Sequence, residues 1–379
     1  MAKIIILGSA YPLRGGGLAT FNERLALAFQ QMNHSVSIYN FSLQYPSLFF
    51  PGKTQYSDEP KPENLVIKTK VNSINPLNWI RVGRELKKER PDILVIRYWL
   101  PFMAPCLGTI ARIVKKNNHT KVISIADNII PHEKRPGDKV LTKYFTSKMD
   151  GFITMSRTVL EDLKKFNRKN VPVKFCFHPL YDNFGQKIDK VLARKMLNLQ
   201  TDAKYVLFFG FIRDYKGLDL LLKAFAQPQL KNTEINLLVA GEFYSRPDKY
   251  MKIIEESNIE SMVTLRTEFI PNDSVATYFS AADLVAQPYK SATQSGVTQV
   301  AYHFEVPMLV TNVGGLAEMV LHNKTGYVVE RNPKHIASSI DEFFKNKNVD
   351  NTFRQNIKEF KKRFSWNKLV EAIISVAKT

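Results

Sequence analysis

An arginine and a lysine three residues apart, Arg213 and Lys216, stand in the segment Gly210-Phe-Ile-Arg-Asp-Tyr-Lys-Gly217. A guanidinium can fork onto two phosphate oxygens while an ammonium acts as a point charge, so the pair suits a diphosphate clamp. Downstream, Tyr289-Lys-Ser-Ala-Thr-Gln-Ser-Gly-Val297 sets small residues, Ser295 and Gly296, where a helix should open and its amides can seat an anion. Thr293, Gln294 and Gln299 add neutral groups suited to sugar hydroxyls. A third candidate lies near the N-terminus, Gly8-Ser-Ala-Tyr-Pro-Leu-Arg-Gly-Gly-Gly17. Its Gly16 and Gly17 allow close backbone approach to a ligand ahead of another helix. It is not G-x-G-x-x-G, so a nicotinamide dinucleotide site is poorly supported. The seven histidines show no H-x-x-x-H pairing and no D-x-D sits in a strand-end loop, so no metal is expected.

Such loops need a scaffold that ends strands beside them. Short apolar runs, Lys3–Leu7, Ser35–Tyr39, Asp92–Ile96, Lys121–Ile125, Gly151–Met155 and Val173–Phe177, alternate with amphipathic stretches in the first half. The pattern restarts with Tyr205–Phe209, Ile235–Val239, Val263–Leu265, Asp283–Ala286, Met308–Thr311 and Tyr327–Val329. Runs apolar on both faces and separated by helices predict parallel sheets covered on both sides. Two series predict two doubly wound α/β domains, residues 1–190 and from 191 onwards, divided in the polar stretch 182–203. The first helix is expected over Thr20–Met32, opened by a capping box of Thr20 and Glu23. Ligands of such sheets sit outside the carboxyl ends of strands, where the three candidate loops fall.

The 379 residues are 44% hydrophobic and 23% charged, an ordinary globular composition. Two cysteines supply no disulfide framework. No run approaches the ~20 apolar residues of a membrane span, and the N-terminal apolar run is too short for a signal h-region. A cytoplasmic protein is expected. The net charge of +19 is uneven: residues 1–190 carry thirty Lys and Arg against fifteen Asp and Glu. An anionic membrane surface or a phosphorylated acceptor would meet that charge. Nucleic acid is not expected as a partner, because no zinc-finger, RNP or helix-turn-helix pattern is present.

From Tyr205 to Glu330 most strongly, and over nearly the whole chain, the sequence resembles glycosyltransferase family 4. The family's G-R-L-x-x-x-K-G loop appears as Gly210–Gly217, with Phe211 at the arginine position and Arg213 displaced by two. The glycine-rich strand end appears as Val239-Ala-Gly241-Glu242, and V-G-G-x-x-E stands intact as Val313–Glu318. Phe364-Ser-Trp366 resembles the start of the family's last helix, which would make 191–360 the nucleotide-sugar domain and 361–379 a helix crossing back to the acceptor-binding domain. The resemblance implies a glycosyltransferase-B fold, two Rossmann-like domains facing across a cleft. It further implies a retaining, metal-independent hexosyltransferase-like transfer from a nucleotide sugar.

Arg213, Lys216 and the Ser295–Val297 amides would then receive the leaving diphosphate. Glu318 would orient donor hydroxyls, and Phe269 and Ile270 would line the base pocket. The family's paired glutamates have no counterpart: the register offers Ala292 or Thr293 first and Gln299, Val300 or Ala301 second, so Gln299 is expected to bond ribose without charge. Where many relatives have a histidine, this chain has Ala126-Asp127-Asn128, then Pro131-His132-Glu133. Asp127 is expected to take the acceptor's proton, with His132 beside it. By family analogy the acceptor is lipid-linked or a polysaccharide, in bacterial envelope, lipopolysaccharide or capsule synthesis, with peripheral attachment to the inner face of the cytoplasmic membrane. The missing glutamates also admit a catalytically silent sugar-nucleotide binder.

Overall fold

The computed structural model describes residues 1–14, 17–46, 54–57, 60–131, 135–167, 169–231, 233–244, 246–292 and 295–379. The chain forms two compact units, Met1–Pro179 with Phe364–Thr379, and Leu180–Arg363. The division precedes residue 190 because the intervening chain packs on the second unit. Ile188 N donates to Ser280 Oγ at 3.0 Å, and His303 Nε2 bonds Gly185 O at 2.9 Å.

The first unit holds β1 (Lys3–Leu7), β2 (Ser35–Leu43), β3 (Ile67–Asn72), β4 (Ile93–Tyr98), β5 (Lys121–Ala126), β6 (Gly151–Thr154) and β7 (Val173–Phe175), in the order β3-β2-β1-β4-β5-β6-β7. Every pair is parallel. Helices cover both faces, and the core gathers Ile5, Leu94, Ile96, Leu107, Phe145 and Phe152, all fully buried. The second unit holds β8 (Lys204–Phe209), β9 (Ile235–Ala240), β10 (Val263–Arg266), β11 (Leu284–Gln287), β12 (Met308–Thr311) and β13 (Gly326–Val329), in the order β10-β9-β8-β11-β12-β13. These too pair in parallel throughout. Strand order reverses between β1 and β4 and again between β8 and β11, the switch points at which doubly wound sheets bind ligands.

Two local expectations need correction. β3 was not foreseen, because IKTKVN is an edge strand whose Lys68 and Lys70 point to Glu89 and Glu85 rather than into the core. The first helix runs Ala19–Gln31 with no side-chain cap at Leu18. Thr20 is buried inside its first turn, and Glu23 accepts from Tyr11 N at 2.7 Å, so the predicted capping box does not form.

Candidate functional site

In the second unit, the loops after β8 and β9 extend their pairing beyond the sheet. Ile212 N donates to Glu242 O at 2.8 Å, and Tyr244 N donates to Ile212 O at 2.9 Å. The chain then turns through Asp214–Lys216 and a left-handed Gly217 into the helix Leu218–Phe225. A Cβ on Gly217 would stand 2.0 Å from Pro288 O, so only glycine lets the turn sit against the β11 loop. This turn brings Lys216 back over the end of β8. Its Nζ lies 3.1 Å from the Cβ position of Gly210, with Val297 Cγ2 3.7 Å from the same point, and 5.8 Å from the Tyr289 ring centroid. Gly210, Lys216 and Val297 therefore share one spot.

Lys216 Nζ has no hydrogen-bond or ion-pair partner among the described residues. Burial, then the nearby Arg213 charge, pulls its pKa down to about 7. As a whole residue Lys216 is half-buried. The groups beside its ammonium are Gly210 and the Tyr289 ring. Arg213 is exposed, its guanidinium 5.0 Å from the Tyr244 ring centroid. Tyr244 stacks on Phe211 at 4.4 Å, and Phe211 on Phe269 at 6.4 Å, a row of three rings beyond β8, β9 and β10. Ile270 beside it is half-buried, and Glu242 is buried.

Ser295 precedes the helix Gly296–His303 in extended conformation and makes no side-chain cap. Its hydroxyl meets Gln287, the buried last residue of β11, whose Nε2 lies 2.6 Å from Ser295 Oγ and 3.1 Å from Tyr289 OH. Gly296 is pressed by the Tyr181 ring, 2.9 Å from a Cβ position there. Gln299 is buried, with Oε1 unpartnered among the described residues. Glu318 is half-buried in the short helix Leu316–Met319. Thr293 and Gln294 lie outside the described residues.

In the first unit, Asp127 follows β5 and is buried, but both of its oxygens are engaged. Arg97 Nε bonds Oδ2 at 2.5 Å and Nη2 bonds Oδ1 at 3.2 Å. Arg97 Nη1 also donates to Gly17 O at 2.7 Å, and its guanidinium lies 3.9 Å from the Phe21 ring centroid. His178, edge-on to Phe21 at 5.1 Å, is buried. Desolvation and then the Arg97 charge hold it neutral, its pKa pushed down to about 3. Gly16 and His132 lie outside the described residues. Sequence reasoning missed Arg97, Gln287, Tyr244 and His178. A signal existed for the first, since an arginine inside the wholly buried strand ILVIRY requires a partner.

Two family models divide the chain between them: Glycosyltransferase Family 4 over residues 15–179 and Glycosyl transferases group 1 over residues 189–360. The chain belongs to glycosyltransferase family 4. It is a nucleotide-sugar-dependent glycosyltransferase with the glycosyltransferase-B fold. An uncharacterised glycosyltransferase of Methanocaldococcus jannaschii is 25% identical over 79% of each chain. A D-inositol 3-phosphate glycosyltransferase of Mycobacterium leprae is 33% identical over 41% of this chain, which is only 37% of that relative's length. Among solved structures, sucrose-phosphate synthase from Thermosynechococcus elongatus superposes with TM-score 0.77 at 17% identity, covering 99% of this chain and 98% of that one. Anabaena HepE in complex with UDP-glucose gives 0.73 at 15%, covering 100% of both.

Proposed function

We propose that this family 4 glycosyltransferase moves a sugar, with retention at the anomeric carbon, from a nucleotide-sugar donor held by the second unit to a lipid-linked or polysaccharide acceptor. Bacterial envelope or capsular polysaccharide assembly is the setting. The observation that carries the donor reading is Lys216: a desolvated ammonium without a counter-ion among the described residues, at the switch point between β8 and β11, beside the first turn of the helix Gly296–His303. An anion there supplies what the protein leaves out. When the bond from the anomeric carbon to the diphosphate breaks, the leaving oxygen gains negative charge. Lys216, Arg213 and the Gly296 and Val297 amides receive it, so no resident metal is required. Glu318 orients donor hydroxyls, and the Tyr244–Phe211–Phe269 row, with Ile270, flanks the base. Asp127 has both oxygens on Arg97, so here it positions Arg97 and the Gly17 carbonyl. The acceptor's proton then passes to the departing phosphate, the group whose basicity rises as the bond breaks.

The acceptor reading and membrane attachment rest on the basic first unit. Helix Pro76–Glu89 exposes Arg81, Arg84 and Lys88 on one side, headed by exposed Leu77 and Ile74. No helix among the described residues is long and apolar enough to cross a membrane. Binding to anionic vesicles at low salt, lost at high salt, is the expected result; indifference to them at low salt overturns the attachment.

The donor site is tested by thermal stabilisation with UDP-, GDP- and ADP-linked sugars in EDTA, in wild type and Lys216→Ala. UDP comes first, since the HepE structures hold it. One nucleotide should raise the melting temperature of wild type and not of the variant. No shift with any of them would overturn the donor reading, and a shift without transfer or donor hydrolysis would favour the silent binder.

A further inference from the structure

The buried network around Gln287 contains an ordered set of protons. Thr298 Oγ1 donates to Gln287 Oε1 at 2.8 Å, so the amide oxygen is held on the Thr298 side. The Nε2 end therefore faces Ser295 Oγ at 2.6 Å and Tyr289 OH at 3.1 Å. An amide nitrogen only donates, so both hydroxyls act as acceptors in these bonds. Each keeps a proton of its own. Tyr289 can spend its proton on Ser295 Oγ, 3.4 Å away. Ser295 has no other oxygen or nitrogen acceptor among the described residues, and it is half-exposed at the entrance to the helix that carries Gly296 and Val297. Tyr289 is itself held from behind, its carbonyl accepting from Thr311 Oγ1 at 2.6 Å and its ring beneath Lys216.

We infer that Gln287 is a positioning residue that makes Ser295 a committed hydroxyl donor towards the donor's diphosphate. The relay runs Thr298 to Gln287 to Ser295 to a phosphate oxygen, each proton pointing towards the anion. This rests on the donor-site reading above and adds a residue that reaches the ligand only through Ser295.

The test is a double-substitution cycle on the binding of UDP, and of GDP or ADP if the thermal panel selects them. A hydrogen bond to a charged group makes Ser295→Ala weaken diphosphate binding roughly tenfold or more. Gln287→Met, of similar volume, should weaken it by a similar factor, and the double variant should be no worse than either alone. Nucleoside binding, without phosphates, should be unmoved. Gln287→Glu keeps the acceptor for Thr298 but turns the other end into an acceptor that captures the Ser295 proton; it should weaken diphosphate binding more than Gln287→Met. Multiplying effects in the double variant overturn the inference, and so does a Gln287→Glu protein that binds UDP as wild type does. Circular dichroism and melting confirm that each variant is folded, and if Gln287→Met is not, the Gln287→Glu result decides. A wild type that binds no nucleoside diphosphate would remove the donor reading itself. Normal binding with no coupling between 287 and 295 would remove only the relay.

Discussion

The two units put a basic side chain at their switch points and treat it in opposite ways. In the first, Arg97 is buried with its charge met by Asp127 on two bonds and by the Gly17 carbonyl on a third. In the second, Lys216 is packed against Gly210 and Tyr289 with no counter-ion among the described residues. A satisfied buried charge is architecture: it ties β4 to β5 and to the turn before the first helix. An unsatisfied one is a cost that the fold carries for a ligand, since an ammonium without a partner loses its hydration and regains it only from an anion.

The largest effect should come from breaking the satisfied pair. Arg97→Ala removes both charge-assisted bonds from the buried Asp127 carboxylate, which should lower the stability of the first unit by about 3–5 kcal/mol. All three tryptophans, Trp79, Trp99 and Trp366, belong to that unit, so tryptophan fluorescence during urea unfolding follows it selectively. A shift below ~1 kcal/mol would mean that the pair is dispensable and would reopen Asp127 as a proton acceptor.

Lys216→Ala should behave in the reverse manner, with transfer slowed roughly 10²–10³-fold and the tryptophan-detected transition unmoved. Lys216→Met should even stabilise the second unit. The folded pKa of about 7 lies below the ordinary 10.5, so between those values the unfolded chain binds more protons and stability rises with pH. The destabilisation is complete below about pH 7 and fades towards pH 10.5. Calorimetry at pH 6 and pH 9 should therefore show a larger gain for Lys216→Met at pH 6.

The same proton predicts a binding profile. A diphosphate on Lys216 restores its charge, so binding takes up a proton above about pH 7, and affinity should fall by up to ~tenfold per pH unit there. Titration calorimetry in buffers of different ionisation enthalpy measures that uptake. A flat profile in wild type would show that the anion binds elsewhere.

This asymmetry was half legible in the sequence. Strand periodicity announces both sheets, because apolar runs bounded by glycine and polar turns leave parallel pairing as the economical solution. Lys216 and Gly210 could be singled out because the turn's glycines and cation sit at a strand's end. The partners that decide what each charge does could not. Arg97 meets Asp127 thirty residues on, across a β4–β5 register that spacing does not reveal. Gln287 reads as an ordinary strand end until Ser295 and Thr298 fold back over it. Edge strand β3 hid for another reason, since its lysines pair with a helix and carry no alternation of apolar residues.

The smallest effect concerns how firmly the Lys216 loop is held. Asp214, between the two cations, pairs with Lys249 and Lys290, and Lys290 N also bonds Tyr215 O at 2.6 Å. The Lys249 contact and then Lys290 lower the Asp214 pKa, yet its side chain is 63% exposed. Exposed pairs of this kind contribute about 0–1 kcal/mol and are screened by salt. Asp214→Asn should therefore weaken donor binding less than ~fivefold at low salt, converging on wild type as ionic strength approaches ~1 M. The backbone bond and the glycine turn against Pro288 remain to hold the loop. A loss that rivals Lys216→Ala and persists in salt would instead place Asp214 among the groups that touch the donor. The second unit's charge would then be managed by a carboxylate after all, as the first unit's is.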